Sequence, residues 1–361
     1  MEPVNVHEYE RVAEERLDAG AFGYFAGGAG DEWTLRENRA AFERWTLRPR
    51  VLVDVSSVST ATTVLGTAIS LPVLVAPVAF QRIAHPDGEI ATARAAAAAG
   101  TIMCLSTVAT AAPAELTTAA PGAPRWFQVY VFKDRGITRA LIDRAVEAGF
   151  GALVLTVDTP YLGRRERDLR TGFHVPPETR VPAWEAAVGP GVGGTPQELF
   201  ALCASDLSWR DLEALAADSP IPVLAKGILT AEDARLAAEH GAAAVVVSNH
   251  GARQLDGVPA ALDALPEVAE AVDVEVLMDG GVRRGSDAVK ALALGARAVL
   301  VGRPVIWGLA ARGEEGVRHV LELLRAEVEL ALALLGRSSP GEVDRATIAA
   351  CLPSPSSAPG S

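Results

Sequence analysis

A histidine and an arginine stand three residues apart where an apolar stretch of the chain ends. The run Ala242–Val247 is followed at once by Ser248–Gln254, which contains His250 and Arg253. Histidine accepts and returns a proton near neutral pH, and arginine grips a carboxylate or phosphate through two parallel hydrogen bonds. The segment therefore predicts proton abstraction from a small anionic substrate at the end of a buried strand.

The elements that must position this segment form a repeating pattern. Apolar, β-rich runs alternate with helical stretches such as 88–99, 138–148, 231–239 and 285–294. Spacings of roughly 20 to 30 residues suit a strand plus a crossover helix, and fully apolar strands are typical of sheets covered on both faces. The sequence therefore predicts an α/β fold, a (β/α)8 TIM barrel, with strands at 72–76, 102–106, 126–131, 152–158, 222–226, 243–248, 274–279 and 298–302.

The competing architecture is a doubly wound sheet. That fold would place Gly-x-Gly-x-x-Gly directly after its first strand. The chain has Pro77–Gln81 there, with no glycine. The barrel is therefore the favoured interpretation.

Three segments lie outside the repeat. Helical patterns at 6–19 and 31–43 predict an N-terminal helical extension that covers the bottom of the barrel or reaches its mouth. After the fourth strand, residues 171–206 are rich in proline and glycine, which predicts a long loop that acts as a mobile lid. We expect one domain over residues 1–352, followed by a disordered tail at 353–361.

Composition excludes several classes of function. The 361-residue chain has a net charge of −12, which argues against nucleic acid or an anionic membrane as partner. Its cysteines, Cys104, Cys203 and Cys351, are too few and too scattered for a disulfide framework or a zinc site, and no metal is expected. No apolar run reaches the roughly 18 residues of a membrane span, and the acidic N-terminus is no signal peptide. We expect a cytoplasmic protein.

Polar side chains stand at the carboxyl ends of the predicted strands. Barrel enzymes build their active sites at that end, and buried strand ends rarely carry so many polar groups without a function. We therefore take the whole set as candidate site residues: Ser106, Thr107, Gln128, Tyr130, Thr156, Asp158, Lys226, Ser248, Asp279, Gly302 and Arg303.

The last two strand ends combine glycine with arginine. Asp279–Gly285 contains Gly280, Gly281 and Arg283, and Val301–Arg303 follows the next strand. Glycines let backbone amides approach a phosphate, and barrels often bind phosphate after strands seven and eight. Turn glycines with solvated arginines are the alternative, but the two motifs together favour a phosphate site.

Two of these residues have roles that residue type alone leaves open. Three roles are open for Lys226. It could be a Schiff-base nucleophile, a fixed positive charge beside a cofactor that becomes anionic, or one half of a structural ion pair. Asp158 is a candidate to hold the imidazolium of His250, as the acid partner of a catalytic histidine does elsewhere.

Six motifs together carry a resemblance to a known family. They are Gly23–Ala29, Phe127–Tyr130, Thr156–Pro160, Leu224–Gly227, Ser248–Gln254 and Asp279–Arg283. From about Val4 to about Ala350 the chain resembles the FMN-dependent 2-hydroxy acid oxidases and dehydrogenases, which include glycolate oxidase, lactate oxidase, mandelate dehydrogenase and hydroxymandelate oxidase.

The resemblance implies FMN as cofactor and a role for each matching residue. His250 is the base that starts oxidation of the α-carbon, and Asp158 stabilises the imidazolium. Lys226 lies by the flavin N1–O2 edge, and Tyr130 lies near the substrate oxygen. The implied substrate-binding residues are Tyr24, Tyr130, Arg165, His250 and Arg253. The implied cofactor-binding residues are Pro77, Val78, Ala79, Ser106, Gln128, Thr156, Lys226, Ser248, Asp279, Gly280, Gly281, Arg283, Gly302 and Arg303.

A few positions bear on which activity the resemblance implies. Ala79 matches the oxidases, whereas the dehydrogenases that react poorly with oxygen often have glycine there. Val108 stands where plant-type glycolate oxidase has a tryptophan, which leaves room for lactate or a bulkier (S)-2-hydroxy acid. Phe80 and Tyr161 are candidates for apolar walls. We expect oxygen as acceptor, hydrogen peroxide as product and a homotetramer.

Four alternatives remain open from the sequence. Two keep both the flavin and the oxidation of a hydroxy acid: a dehydrogenase that passes electrons to a quinone or other acceptor, and oxidative decarboxylation of the lactate monooxygenase type. A third is a barrel isomerase or aldolase acting on a phosphorylated substrate. The fourth is a non-catalytic flavin-binding protein. Flavin binding alone needs neither the pairing of His250 with Asp158 nor the carboxylate clamp of Arg253, so the presence of these residues disfavours it.

Overall fold

Eight parallel strands close into a barrel in the computed structural model, which describes residues 2–190 and 194–351. The barrel runs in chain order from β4 to β11, and β11 pairs with β4 to close it. The strands are β1 (Trp45–Leu47), β2 (Thr62–Val64), β3 (Thr67–Ile69), β4 (Val73–Val75), β5 (Met103–Leu105), β6 (Arg125–Val129), β7 (Leu153–Thr156), β8 (Val223–Ile228), β9 (Ala244–Val247), β10 (Glu275–Asp279), β11 (Ala298–Val301) and β12 (Ile348–Ala350).

Helices surround the barrel and extend it at both chain ends. They are α1 (Val6–Arg16), α2 (Ala19–Ala26), α3 (Trp33–Ala40), α4 (Gln81–Ala84), α5 (Gly88–Ala98), α6 (Pro113–Ala119), α7 (Arg135–Glu147), α8 (Glu166–Thr171), α9 (Pro182–Val188), α10 (Pro196–Phe200), α11 (Trp209–Asp218), α12 (Ala231–Glu239), α13 (Ala261–Ala271), α14 (Gly285–Ala293) and α15 (Arg303–Leu334). Helix α15 is broken at Arg312 and Gly313, whose backbone angles are not helical. The predicted TIM barrel is confirmed, and each predicted barrel strand overlaps an observed one, although β6 begins one residue earlier and β8 ends two residues later than predicted.

The pleat of each barrel strand separates two apolar layers. Successive side chains of a strand point to opposite faces, so Val73 and Val75 pack outward against the helices while Leu74 packs inward. The inward set forms its own buried cluster at the amino-terminal half of the barrel: Leu74, Cys104, Trp126, Val154, Leu224, Val246, Leu277 and Leu300. Both faces of every strand are therefore covered, which explains why the runs are apolar throughout.

A small hairpin packs against this inner cluster. Strands β2 and β3 pair antiparallel around the turn at Leu65 and Gly66, and Val64 and Ile69 belong to the cluster of inward barrel residues. The amide of Leu65 donates a 2.9 Å hydrogen bond to the carboxylate of Glu275, at the start of β10. The hairpin thus covers the amino-terminal end of the barrel.

The N-terminal extension reaches the mouth of the barrel. The helix predicted at 6–19 ends at Arg16, because Asp18 caps a second helix, α2, by accepting from the amide of Ala21 at 2.8 Å. The second predicted helix appears as α3 followed by a 3₁₀ turn at Ala41–Arg44. Helix α2 packs against α8, which follows the fourth barrel strand. Of the two placements that the sequence allowed, the structure shows the one at the mouth.

The insertion after the fourth barrel strand is partly helical. Residues 171–206, expected as a loop, contain α9 and α10 and a bridge between Val175 and Gly194, with residues 191–193 outside the described part. The tail predicted at 353–361 also lies outside the described residues. Within the described residues, no helix is both long and apolar enough to span a membrane, and no group of three potential metal ligands occurs.

Removal of Trp126 should destabilise the barrel from the inside. Its side chain is 2% exposed and belongs to the inward cluster, so Trp126→Ala should cost about 3–5 kcal/mol in free energy of unfolding, from lost burial and the cavity left behind. Urea denaturation measures the loss. The matched control, Trp33→Ala, removes a side chain that is 45% exposed and should cost far less. Equal losses would show that Trp126 is not part of a packed core.

Candidate active site

A single cavity at the carboxyl-terminal end of the barrel collects the predicted site residues. Its volume is about 1170 Å³ including its opening to solvent. Every predicted site residue lines it except Thr107, Asp158 and Ser248. The hydroxyl of Thr107 donates to the carbonyl of the lining residue Gln128 at 2.5 Å. Asp158 hydrogen-bonds to the lining residue His250, and Ser248 accepts from the lining residue Lys226. The structure therefore brings the whole predicted set together.

The pleat that builds the inner core also delivers these polar groups to the cavity. A strand residue two positions after an inward apolar residue faces inward again, one layer nearer the mouth. In this way Gln128 follows Trp126 on β6, and Thr156 follows Val154 on β7. The amide nitrogen of Gln128 donates to Thr156 Oγ1 at 3.0 Å, and the hydroxyl of Ser106 donates to Gln128 Oε1 at 3.2 Å. Neighbouring strands thus form a continuous polar layer.

His250 and Asp158 form the central pair of the site. Nδ1 of His250 lies 2.9 Å from Asp158 Oδ1, and Thr159 donates its hydroxyl to the same oxygen at 2.8 Å. An ionised carboxylate only accepts hydrogen bonds, so Nδ1 carries the proton and Nε2 has the free lone pair. Nε2 lies 3.4 Å from the hydroxyl of Tyr130. The imidazole is therefore oriented as a base toward the cavity.

Burial and the pairing together set the protonation states of this pair. Burial lowers the pKa of His250 below its ordinary value, although the Asp158 carboxylate opposes the shift. Burial alone would raise the pKa of Asp158, but His250, Lys226 and Thr159 outweigh it and hold that pKa below its usual range. Burial also raises the pKa of Tyr130, with the charge of Asp158 acting in the same direction. At neutral pH the site thus holds a neutral imidazole, a carboxylate and a protonated phenol.

The backbone at His250 is held in an unusual conformation. His250 has a φ of +57°, a left-handed conformation that costs energy for a residue with a side chain. The hydroxyl of Ser248 stabilises it by accepting from the amide of His250 at 3.0 Å. Opposite, Gly227 leaves room for the acid partner, since a Cβ there would lie 2.5 Å from the Cβ of Asp158. The strained backbone at His250 and the close approach of Gly227 to Asp158 therefore both position the His250–Asp158 pair.

Lys226 is held as a fixed positive charge. Its ammonium lies 3.0 Å from Asp279 Oδ2 and donates to Ser248 Oγ at 2.9 Å, and Ser248 donates to Asp279 at 2.6 Å. Burial alone would lower the pKa of Lys226, but the carboxylates of Asp279 and Asp158 raise it overall. A protonated amine is no nucleophile, so the structure argues against the Schiff-base role.

A cluster of cations and aromatic rings forms the wall next to His250. The guanidinium of Arg253 lies 4.7 Å from the ring centre of Tyr24 and donates to the carbonyls of Tyr24 and Gly27. Arg165 is buried and donates to the carbonyl of Arg253 at 3.4 Å. Burial and the nearby charge of Arg253 lower the pKa of Arg165 to about 10. Both guanidinium groups therefore lie beside the cavity and close to the base.

The other end of the cavity is also cationic. Burial lowers the pKa of Arg283 to about 10, and its side chain donates to the carbonyl of Val282 at 2.9 Å. The guanidinium of Arg303 donates to the carbonyls of Phe25, Gly27 and Gly251.

The loop before α14 uses some of the amides that the sequence suggested for phosphate. The amides of Arg283 and Arg284 both donate to the carboxylate of Asp287. The groups left for an anion are the Arg283 side chain and the chain near Gly281 and Gly302. Gly281 has a φ of +81°, and a Cβ there would lie 1.9 Å from the carbonyl oxygen of Asn38, so only glycine fits.

Part of the cavity wall escaped the sequence analysis. Trp184 and Phe200, from the insertion, line the cavity, with ring centres 5.1 Å from Phe80 and 5.1 Å from Tyr130 respectively. They stand in a segment without regular apolar periodicity, and no local signal pointed to them. Phe80 and Val108 line the cavity as expected. Tyr161 does not, because its side chain is 75% exposed and lies outside the lining.

The donor set fits a large anionic cofactor together with an anionic substrate. Among the described lining residues, the cationic side chains are Arg165, Lys226, Arg253, Arg283 and Arg303, and Asp279 is the carboxylate. Buried cations are costly unless they are paired, so this surplus calls for negative charge at two places. One is beside Arg283, and the other is beside Arg253 and His250.

Comparison with known proteins identifies the class to which this barrel and site belong. The family described as FMN-dependent dehydrogenase matches residues 13–350. An L-lactate oxidase from Nostoc sp. is 52% identical, over 95% of this chain and 97% of the relative. A glycolate oxidase from Spinacia oleracea is 50% identical, over 99% of this chain and 98% of the relative.

Solved structures of related proteins point to the same class. A mandelate oxidase with (S)-4-hydroxymandelic acid superposes with a TM-score of 0.91 at 42% identity, covering 97% of this chain and 99% of that one. A variant of an active chimera of (S)-mandelate dehydrogenase superposes with a TM-score of 0.90 at 38% identity, covering 96% and 99%. The chain therefore belongs to the family of FMN-dependent dehydrogenases, among the 2-hydroxy acid oxidases and dehydrogenases. FMN is the cofactor of this family, and the match disfavours an isomerase or aldolase.

The charge state of Lys226 is testable by chemical trapping. Incubation with pyruvate and cyanoborohydride at neutral pH should leave Lys226 unmodified, because its raised pKa and its buried ion pair with Asp279 leave almost no neutral amine to form an imine. Peptide mass mapping measures the outcome, with the exposed Lys133 as an internal control for reagent reactivity. Selective modification of Lys226 ahead of Lys133 would contradict the assignment.

Proposed function

We propose that the protein oxidises an (S)-2-hydroxy acid to the 2-oxo acid and passes the electrons to oxygen, giving hydrogen peroxide. The observation that carries this proposal is the oriented pair of His250 and Asp158. The free Nε2 of His250 lies beside Tyr130 in a cavity that also contains Arg165 and Arg253. A base and an anion clamp that share one cavity suit proton removal from a small carboxylic acid.

In the proposed reaction the substrate carboxylate binds to Arg253, with Arg165 and the hydroxyl of Tyr24 nearby. Tyr130 keeps its proton and donates a hydrogen bond to the substrate oxygen. Nε2 of His250 takes the substrate proton, and Asp158 stabilises the resulting imidazolium across the 2.9 Å hydrogen bond. The pair is built for this step because Asp158 stays ionised while His250 starts out neutral.

We assign the cofactor to the remaining length of the cavity. When bound, FMN supplies a two-electron acceptor for the hydroxy acid. Its phosphate would lie by Arg283, Gly281, Gly302 and Arg303, where the cavity has its second cationic end. Lys226, held charged by Asp279 and Ser248, would stabilise negative charge on the reduced ring. The residues that would face the ring itself are Pro77, Val78, Ala79, Ser106, Gln128 and Thr156.

The walls around the base favour a substrate larger than glycolate. Val108 is a short side chain at the cavity, and Phe80, Trp184 and Phe200 supply apolar and aromatic surface. Since α9 and α10 carry Trp184 and Phe200, we propose that residues 171–206 act as the lid over the substrate. Lactate and bulkier hydroxy acids are the expected substrates. Oxygen as acceptor is supported by Ala79 and by relatives named as oxidases.

The function is tested by anaerobic mixing of the FMN-loaded protein with glycolate, lactate, mandelate and a long-chain 2-hydroxy acid. The (S)-forms of lactate or bulkier acids should bleach the flavin fastest, and admission of oxygen should restore the colour with formation of peroxide. His250→Gln should stay yellow but bleach roughly 10²–10⁴-fold more slowly, the usual contribution of a general base.

Each result of that experiment has a clear meaning. Absence of bleaching with every hydroxy acid would reject the function. Fast bleaching followed by slow recolouring in oxygen would make the protein a dehydrogenase with another acceptor. Unimpaired bleaching of His250→Gln would remove His250 from the role of base. Faster bleaching with glycolate than with the larger acids would contradict the inference that Val108 leaves room for a larger substrate.

The rate of flavin reduction should depend on the protonation of His250. Because the base must be neutral and burial lowers its pKa, the rate should stay level down to about pH 6.5, the ordinary value, and fall only below it. Asp158→Asn removes the charge that raises this pKa, so its acid limb should move to still lower pH. Stopped-flow reduction across pH measures both limbs.

The plateau rate of Asp158→Asn should also fall, since a less basic imidazole without a carboxylate partner is a poorer base. Asp256→Asn is a suitable control, because this carboxylate binds the amides of Trp33 and Thr34 away from the cavity. Its pH profile should match that of the unmodified protein. An acid limb of Asp158→Asn that moved to higher pH would contradict the electrostatic account.

A further inference from the structure

Glu89 is a fully buried acidic residue that the proposed chemistry does not use. It stands in the first turn of α5, behind the cavity, and its relative exposure is 0%. No salt bridge in the described part of the chain includes it, and burial raises the pKa of its carboxyl group. A buried acid without a cationic partner is costly, so its hydrogen bonds must account for its presence.

Three donors from two different loops converge on this carboxyl group. Oε1 accepts from the amide of Gln81 at 3.1 Å and from the amide of Thr110 at 2.9 Å. Oε2 accepts from the hydroxyl of Thr110. Gln81 follows the first barrel strand, β4, and Thr110 follows the second, β5. Glu89 therefore ties the loop after one strand to the loop after the next.

The same two loops contribute adjacent parts of the cavity wall. Pro77–Phe80 directly precede Gln81, and Ser106 and Val108 lie four and two residues before Thr110; all of them line the cavity. Phe80 is held with a φ of +56°, strained for a non-glycine residue, and its amide donates to the carbonyl of Val108 at 3.2 Å. A strained backbone persists only when its surroundings over-determine it, and Glu89 supplies the bond next to Phe80.

We propose that Glu89 is a positioning residue for the cofactor, fixing the spacing between the loop at Pro77–Phe80 and the loop at Ser106–Val108. The inference rests on the proposed function only in that these loops are taken to face the flavin ring. A glutamine keeps only part of this network. Its oxygen can accept from both amides, but its amide nitrogen can meet Thr110 only by donating to the hydroxyl, which already accepts from the amide of Arg82 at 3.3 Å. The bond between Glu89 and Thr110 is therefore weakened in Glu89→Gln.

The test uses sulfite, which adds to N5 of the bound flavin and reports on its surroundings without any substrate. Glu89→Gln and Thr110→Val should each raise the sulfite dissociation constant of the FMN-loaded protein roughly three- to tenfold, as expected for one net hydrogen bond. Both variants should lower kcat for the hydroxy acid more than they change KM, since Arg253 is untouched.

Thr101→Val is the matched control. Thr101 is as buried as Thr110, and its hydroxyl donates to the carbonyl of Val73 at 2.6 Å, at the opposite end of the same two strands. Thr101→Val should lower the melting temperature as Thr110→Val does but leave the sulfite dissociation constant unchanged. Thr110→Val alone decides the matter if Glu89→Gln does not fold.

Two outcomes would overturn the proposal. One is an unchanged sulfite dissociation constant in Thr110→Val despite a lower melting temperature, which would make the network merely structural. The other is an equal change in Thr101→Val, which would show a general loosening of the barrel. Because sulfite binding needs no hydroxy acid, failure of the proposed activity leaves this test intact.

Discussion

Closure of eight parallel strands into a barrel forces the carboxyl end of every strand onto one rim. The alternation of each strand then sends every second side chain inward. Low in the barrel these positions are apolar, as at Trp126 and Leu224, and they fill the interior. One step higher they are Gln128 and Lys226, which line the cavity. A single geometric constraint thus supplies both the core that stabilises the protein and the site that functions.

The electrostatics of the rim follow from burial. Each ionised group there is costly to remove from water, and specific partners reduce that cost. Asp279 and Ser248 hold Lys226, His250 and Thr159 hold the carboxylate of Asp158, and three backbone carbonyls hold Arg303. After this pairing, uncompensated positive charge remains at two places on the rim, beside Arg283 and beside Arg253, in a chain whose net charge is −12. The cavity therefore favours anions although the chain as a whole is acidic.

Much of this arrangement could be predicted from local patterns. The barrel strands and the polar residues at their ends are short-range features, because a strand is a local apolar run and its last residues must lie at the rim. The mutual arrangement of His250 and Asp158, 92 positions apart, could only be inferred from residue type and resemblance. Their distance and the free Nε2 come from the structure.

Other parts could not be predicted in this way. Trp184 and Phe200 reach the cavity from an insertion without regular periodicity, and their positions depend on contacts with Phe80 and Tyr130. The same holds for Glu89, which reads locally as an ordinary acidic residue in the first turn of a helix. Only the packing of α5 behind two loops turns it into a shared acceptor.

The sequence by itself determined the fold class, the rim on which the chemistry lies and the residue types that perform it, since all three depend on periodicity and on the chemistry of side chains. The tertiary structure decided the rest. It distinguished the ion-paired Lys226 from a nucleophile, brought Tyr24 of the N-terminal extension beside Arg253, and assigned the amides before α14 to Asp287 rather than to an anion. Those outcomes depend on which groups compete for each hydrogen bond, and such competition exists only once distant segments have packed together.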